Sequence, residues 1–270
     1  MRLSFGGRKW RLWPSAGLRR RWWRAFDRAP RSAQIIVCLL IAATVSLTIN
    51  WIYQVIRKPS ELFFPVSGTL YKTPPETWRE YQAAFEKYST SIMTPELLAA
   101  LAQVEGSGNP VARTYWRWSW TLHPFAVYRP ASSAVGMYQI TDGTFAEAKR
   151  YCIRDHVVIE AGPDLSSCWF NNLYIRVIPN HAIELTSAYL DRAVVHTLER
   201  YNLSGATSRQ KRELAAVIHL CGAGAGDLFA RHHFRLNEGQ RCGDHEVRVY
   251  VARVNVMQSV FSRLAAGGEQ

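Results

Sequence analysis

From Ala33 to Tyr53 the chain reads AQIIVCLLIAATVSLTINWIY, 21 residues without a charge. As a helix rising about 1.5 Å per residue, this run spans the roughly 30 Å hydrocarbon layer of a bilayer. Its polar members are mostly Ser and Thr, whose hydroxyls can bond their own helix backbone. Trp51 and Tyr53 stand where an interfacial aromatic belt sits.

The flanking charge gives the run a direction. Residues 1–32 hold ten Lys/Arg against one acid, Asp27, whereas only Arg57 and Lys58 follow closely on the other side. The positive-inside rule then leaves 1–32 as a basic cytoplasmic tail and carries the rest across an inner membrane into the periplasm. Trp10, Trp13, Trp22 and Trp23 among the arginines suit a tail lying on anionic lipid, and equally a solvated topogenic tail. A cleaved signal peptide is the competing reading of the whole segment. Its n-region would be unusually long, no A-x-A precedes a mature start, and Asn50-Trp51-Ile52-Tyr53 is a poor cleavage context. A retained single-pass anchor is preferred.

Locating the charge also disposes of a nucleic-acid partner. The net charge is +12, and the tail accounts for +9 of it, leaving about +3 on the other 238 residues. With 48% hydrophobic residues those can bury a core, so disorder over the whole length is excluded.

Cys38 lies in the apolar run, which leaves Cys152, Cys168, Cys221 and Cys242 beyond it. An even number in an exported region points to disulfides in an oxidising compartment. Pairing of sequence neighbours is one of three connectivities and closes the shortest loops. No C-x-x-C spacing supports zinc, and no metal or cofactor is expected.

Residues 54–75 carry Pro59, Pro65, Pro74 and Pro75 and read as a linker. Residues 76–265 read as one mainly α-helical domain, with helices over 76–88, 95–105, 141–151, 183–202, 208–220 and 244–264. Thr94 offers an N-cap with Pro95 at the first helical position, and Gly106 and Gly108 stop that helix. No sustained alternating β pattern stands out.

Glu105 ends the helix over 95–105 in line with Leu98, Leu101 and Ala102. On an apolar face at a helix C-terminus, desolvation and the dipole both disfavour negative charge, which suits a glycosidase acid. A slight rotation of the helix would instead leave Glu105 in solvent.

Glu105-Gly106-Ser107-Gly108-Asn109-Pro110 resembles the E-S-x-x-N-P signature of the SLT-type lytic transglycosylases, relatives of goose-type lysozyme. Ser132-Ser133-Ala134-Val135-Gly136-Met137-Tyr138-Gln139-Ile140 is similar to their S-x-A-x-G-x-x-Q-[IL] motif. Residues 215–224, AAVIHLCGAG, resemble A-x-Y-N-A-G-x-G, and Tyr250-Val251 with Val254 resembles Y-V-x-x-[VI]. The four stand in family order over about residues 92–262. There are departures. Gly106 replaces the usual Ser, about 21 residues separate Pro110 from Ser132, and His219-Leu220-Cys221 stands for Tyr-Asn-Ala.

The resemblance implies a lysozyme-like (SLT) helical domain behind a single N-terminal transmembrane helix. It implies cleavage of the β-1,4 bond between N-acetylmuramic acid and N-acetylglucosamine in peptidoglycan, leaving a 1,6-anhydro end. Glu105 would be the single general acid and then base. Ser132, Ser133, Gly136, Met137, Tyr138, Gln139, His219 and Tyr250 would bind or position substrate, Met137 and Tyr138 as groove wall unless they are simply core residues. His219 reads either as a polar substitute for the tyrosine or as a core histidine, and Cys221 could tie its motif to Cys242. Asp142, Glu147, Asp155 and Asp164 fall in no matching motif, which favours transglycosylation over hydrolysis. The aromatic insertion TYWRWSWTLHPFAVY fits either a glycan groove or a short strand packed on the core. The partners implied are glycan strands, the inner membrane, and a secretion, conjugation or pilus apparatus. A lysozyme-like hydrolase and a non-catalytic glycan-binding scaffold are the alternatives.

Overall fold

The computed structural model describes residues 16–121, 123, 125, 127–162 and 168–267. Arg2, Arg8, Lys9, Trp10, Arg11, Trp13 and Asp164 lie outside them. The described chain is mainly helical. It divides into two units, Met1–Tyr53 and Gln54–Gln270.

In the first unit, α1 (Ala16–Asp27) precedes α2 (Arg31–Arg57), whose last residues enter the second. At 27 residues and about 40 Å, α2 is long and apolar enough to cross a membrane. Thr44 and Thr48 donate to the carbonyls of Leu40 and Thr44, each at 2.8 Å, so these hydroxyls satisfy themselves within the helix.

The second unit is built around α5 (Pro95–Gly106). Thr94 caps it, its Oγ1 accepting from Leu97 N at 3.3 Å, with Pro95 at the first position. Leu97 through Ala102 are all buried, so the helix is enclosed on every side rather than along one stripe. Around it pack α4 (Pro74–Lys87), α7 (Pro179–Arg200), α8 (Ser208–Cys221) and α10 (Val247–Gly267), contributing Trp78, Phe85, Ile183, Leu214, Val254 and Phe261 to the core. The start of α9 (Ala223–Arg231) directly follows Gly222.

The stretch over 54–75 is structured where a linker was expected. It forms a 3-10 turn, Pro59–Phe63, and the short helix α3, Phe64–Ser67. Glu61 is 1% exposed, lies 3.3 Å from Lys58 Nζ and accepts from Trp116 Nε1 at 2.9 Å. Asn109 donates to Ser67 O at 2.6 Å, and Lys72 N donates to Ser107 O at 2.8 Å. Pro74 and Pro75 open α4, where their missing N–H groups need no partner.

Among the described residues, three short antiparallel pairs interrupt the helices: β1 (Trp116–Trp118) with β2 (Tyr128–Pro130), β3 (Tyr151–Arg154) with β4 (Val157–Glu160), and β5 (Arg241–Cys242) with β6 (His245–Glu246). The helix expected over 141–151 is therefore shorter, α6 running Asp142–Ala148. Its lost turn becomes β3, because Asp155 and His156 both take positive φ, +49° and +64°. That is the backbone of a two-residue hairpin turn.

Disulfides join Cys152 to Cys168 and Cys221 to Cys242, the sequence-neighbour pairing. Among the described residues Cys38 is in no disulfide.

The end of α5 is fixed by a backbone contact. Ser107 takes φ +48° and Gly108 φ +63°, and Gly108 N closes the helix onto Ala102 O at 3.1 Å. A Cβ on Gly106 would stand 2.8 Å from Met137 Cα and 2.9 Å from Met137 O. Gly106→Ala is thus expected to cost stability by roughly 1–3 kcal/mol, the usual range for overpacking. Thermal denaturation of the variant checks it, and an unchanged midpoint would show that the 132–140 loop can retreat.

Candidate active site

Three helices bring one carboxyl group, one phenol and one imidazole together. Glu105 comes from the last turn of α5, Tyr250 from α10 and His219 from α8. Tyr250 Oη donates to Glu105 Oε1 at 2.6 Å. His219 Nε2 stands 3.7 Å from the same oxygen. The Glu105 side chain keeps 17% exposure, so it is neither sealed in the core nor freely solvated.

Both neighbours are held neutral. Burial, reinforced by the Glu105 carboxylate, pushes the Tyr250 phenol well above its ordinary value, so it remains a donor. Burial pulls His219 below its ordinary 6.5, against the opposing pull of Glu105 and a hydrogen bond with the Tyr138 backbone. The lowered value has a consequence for stability. Below about pH 6.5 the unfolded chain takes up a proton at this position that the folded chain resists. Stability from the neutral imidazole is thus present above 6.5 and lost as pH falls through the lowered folded value. His219→Gln should flatten that part of the curve, measured as denaturant midpoints at about pH 7.5 and about pH 5. Parallel curves for the two proteins would refute a buried neutral imidazole.

The second motif divides under inspection. Gln139 has φ +48°, and its Nε2 donates to Gly136 O at 2.8 Å and Ala112 O at 3.2 Å. Gly136 has φ +80°, and a Cβ there would meet Arg176 O at 2.6 Å, so glycine is required by conformation and by space. For Met137 and Tyr138 the core reading holds. Both are wholly buried, and Tyr138 Oη donates to Leu98 O at 3.1 Å. They fill the core against α5 and do not form a groove wall. Ser132 and Ser133 serve the loop itself: Ser132 Oγ accepts from Ala134 N at 3.2 Å, and Ser133 Oγ from Asp142 N at 3.1 Å. No described contact joins either serine to Glu105.

Beside His219 lies a cavity of about 210 Å³, lined by Gln139, Thr144, Thr186, Tyr189 and Leu220 among others. Thr186 went unnoticed in the sequence. It is 4% exposed, and its Oγ1 has no hydrogen-bond partner among the described residues although it lines this cavity. Nothing in the local pattern ELTSAYL marks it, because its role depends on what α8 leaves open opposite.

The other acids have different occupations. Asp142 is exposed and pairs with Arg176 at 2.8 Å, while Glu147 and Asp155 are exposed. Among the described residues no group of three or more His, Cys, Asp or Glu is placed to hold a metal ion. The insertion does form a strand, but Tyr115, Trp118 and Trp120 are exposed and do not pack on the core. None of residues 115–128 lines the cavity beside His219.

Comparison of the chain with known proteins finds no matching family model, no similar curated protein and no similar solved structure.

Proposed function

We propose that this protein is a membrane-anchored peptidoglycan lytic transglycosylase with a lysozyme-like catalytic domain facing the periplasm. The observation that carries the reading is the single carboxyl group of Glu105, partly exposed and gripped by Tyr250 at 2.6 Å. The ordered motifs around it and the two disulfides support the same reading, as does α2 as a candidate anchor.

Glycosidic cleavage needs a proton on the leaving oxygen and a partner for the developing charge at C1. Protonated Glu105 gives its proton to the bond between N-acetylmuramic acid and N-acetylglucosamine. The substrate's own acetamido oxygen stabilises C1. The resulting Glu105 carboxylate then takes the C6 hydroxyl proton as that oxygen closes on C1, giving the 1,6-anhydro end. Tyr250 holds the carboxyl group in place and steadies its charged form between the two steps. Gln139 and the Thr186 hydroxyl, which has no partner among the described residues, offer polar contacts in the cavity beside His219, whose lining does not include Glu105 itself. Local opening of the wall for an envelope-spanning apparatus is the role such an anchored enzyme fits.

Digestion of purified sacculi by the full chain, followed by mass spectrometry of the soluble fragments, tests this. Anhydro ends, lighter than reducing ends by one water, are expected. Reducing ends would instead make the protein a hydrolase. Sacculus binding without any fragments would leave a glycan-binding scaffold.

A further inference from the structure

We propose that the β1–β2 hairpin is a membrane-interface device that seats on the lipid headgroup layer; this rests on reading α2 as membrane-spanning. The hairpin exposes large aromatics where a folded domain would hide them. Trp118 is 65% exposed, Tyr115 66%, and Trp120 fully so. Strand alternation sorts its residues. Trp116, Trp118 and Tyr128 share one face, with the Trp118 and Tyr128 rings stacked at 4.5 Å, and Arg117 faces Arg129 across the other. Two arginines directly opposite repel each other. Neither makes an ion pair among the described residues, so the pair is suited to an anionic layer outside the protein.

Depth follows from what the hairpin is tied to. Gln54 directly follows Tyr53, the end of the uncharged run, and its Nε2 donates to Phe125 O at 2.6 Å. Lys58 Nζ reaches Thr114 Oγ1 and Ser132 O, each at 3.3 Å. Glu61 holds Trp116 by its indole N–H. Gln54 to Lys58 follow Tyr53 within five residues of chain, next to a headgroup zone about 5–8 Å deep. Groups bonded to these residues are therefore kept close to the end of the uncharged run. Leu62, Phe63, Val66 and Tyr71 add further exposed apolar surface in the same stretch of chain. Tyr71 shares one surface depression with Tyr115, Trp116 and Tyr128. Indole rings with arginines between them match the chemistry of that zone: flat amphipathic bodies and cations that reach phosphate.

The test uses the full chain with Cys38→Ser, carrying one nitroxide label at a time in Trp120→Cys, Ile49→Cys or Glu238→Cys. Each is reconstituted into vesicles of phosphatidylethanolamine and phosphatidylglycerol. Collision with a water-soluble nickel chelate and with oxygen is read by power saturation. The label at 49 should be shielded from nickel, that at 238 open to it, and that at 120 shielded well below 238. Arg117→Gln with Arg129→Gln should restore nickel access at 120 without changing 49. Position 120 as open as 238, with 49 shielded, would overturn the proposal and leave the anchor standing. Position 49 open to nickel would overturn the anchor reading and the proposal with it. Immobilisation of the 120 label by muropeptide fragments, with nickel access unchanged by lipid, would make the hairpin a glycan surface and overturn the proposal.

Discussion

Glu105→Gln is expected to lower the release of soluble fragments from sacculi by about 10²–10⁴-fold, the usual contribution of a positioned general acid. The amide is nearly isosteric, and its oxygen can still accept from Tyr250 Oη, so the contact made at 2.6 Å is retained. What is lost is the proton for the glycosidic oxygen and the base for the C6 hydroxyl. One group performs both steps, and the described acids Asp142, Glu147 and Asp155 are not bonded to Glu105 or its partners. Asp142 is occupied by Arg176, and Glu147 and Asp155 lie in solvent. The rate of fragment release, measured beside an unchanged thermal midpoint, isolates the chemical loss from any folding defect. A variant that cleaves as fast as the parent would remove Glu105 from the mechanism.

Loss of the disulfides should be the largest change in stability. The two bridges close loops of 16 and 21 residues in sequence separation. On the chain-entropy account, each contributes about 3 kcal/mol, against a total of about 5–15 kcal/mol for an ordinary domain. Paired serine substitution at either bridge should lower the thermal midpoint by about 6–12 °C in a unit of this size. Removing both should leave the fold marginal. The two bridges differ in what else they hold. Cys152–Cys168 anchors the β3–β4 hairpin, which supplies neither of the side chains that meet Glu105. Cys221 lies two residues after His219 at the end of α8, so its bridge to Cys242 also fixes the imbuilt position of the imidazole. Serine at 221 and 242 should therefore depress cleavage beyond its effect on the midpoint, whereas serine at 152 and 168 should not. Equal activity losses at matched stability would refute that division.

Local chemistry explains which features could be read in the chain. The α5 boundaries rest on Thr94, Pro95 and the pair Ser107 and Gly108, all adjacent in sequence to what they control. The apolar run needed only its own length. The approach of His219 and Tyr250 to Glu105 was accessible through the motifs alone, since both lie more than a hundred residues from Glu105 and no local pattern joins them to it. Other features were hidden for physical reasons. Met137 and Tyr138 look equally apt for a groove or a core, and only the enclosure of α5 decides it. The β3–β4 turn uses Asp155 and His156 instead of a glycine pair, so the usual hairpin signal is missing. The prolines over 54–75 fit a loose tether as well as a helix start, and the buried Glu61 that holds this stretch down finds its partners near residues 113–116. Thr186 depends on a gap left by another helix.

The packing of that post-anchor stretch has a mechanical meaning. Lys72 N is bonded to Ser107 O and Asn109 to Ser67 O, so the stretch over 67–72 is fastened within four residues of Glu105. A pull applied through the N-terminal end of this unit meets the contacts of Gln54, Lys58 and Glu61 first and these fastenings next. Tension along the chain thus arrives at the acid's own helix cap, two residues from the carboxyl group, which makes the tether a lever on the site as well as a leash.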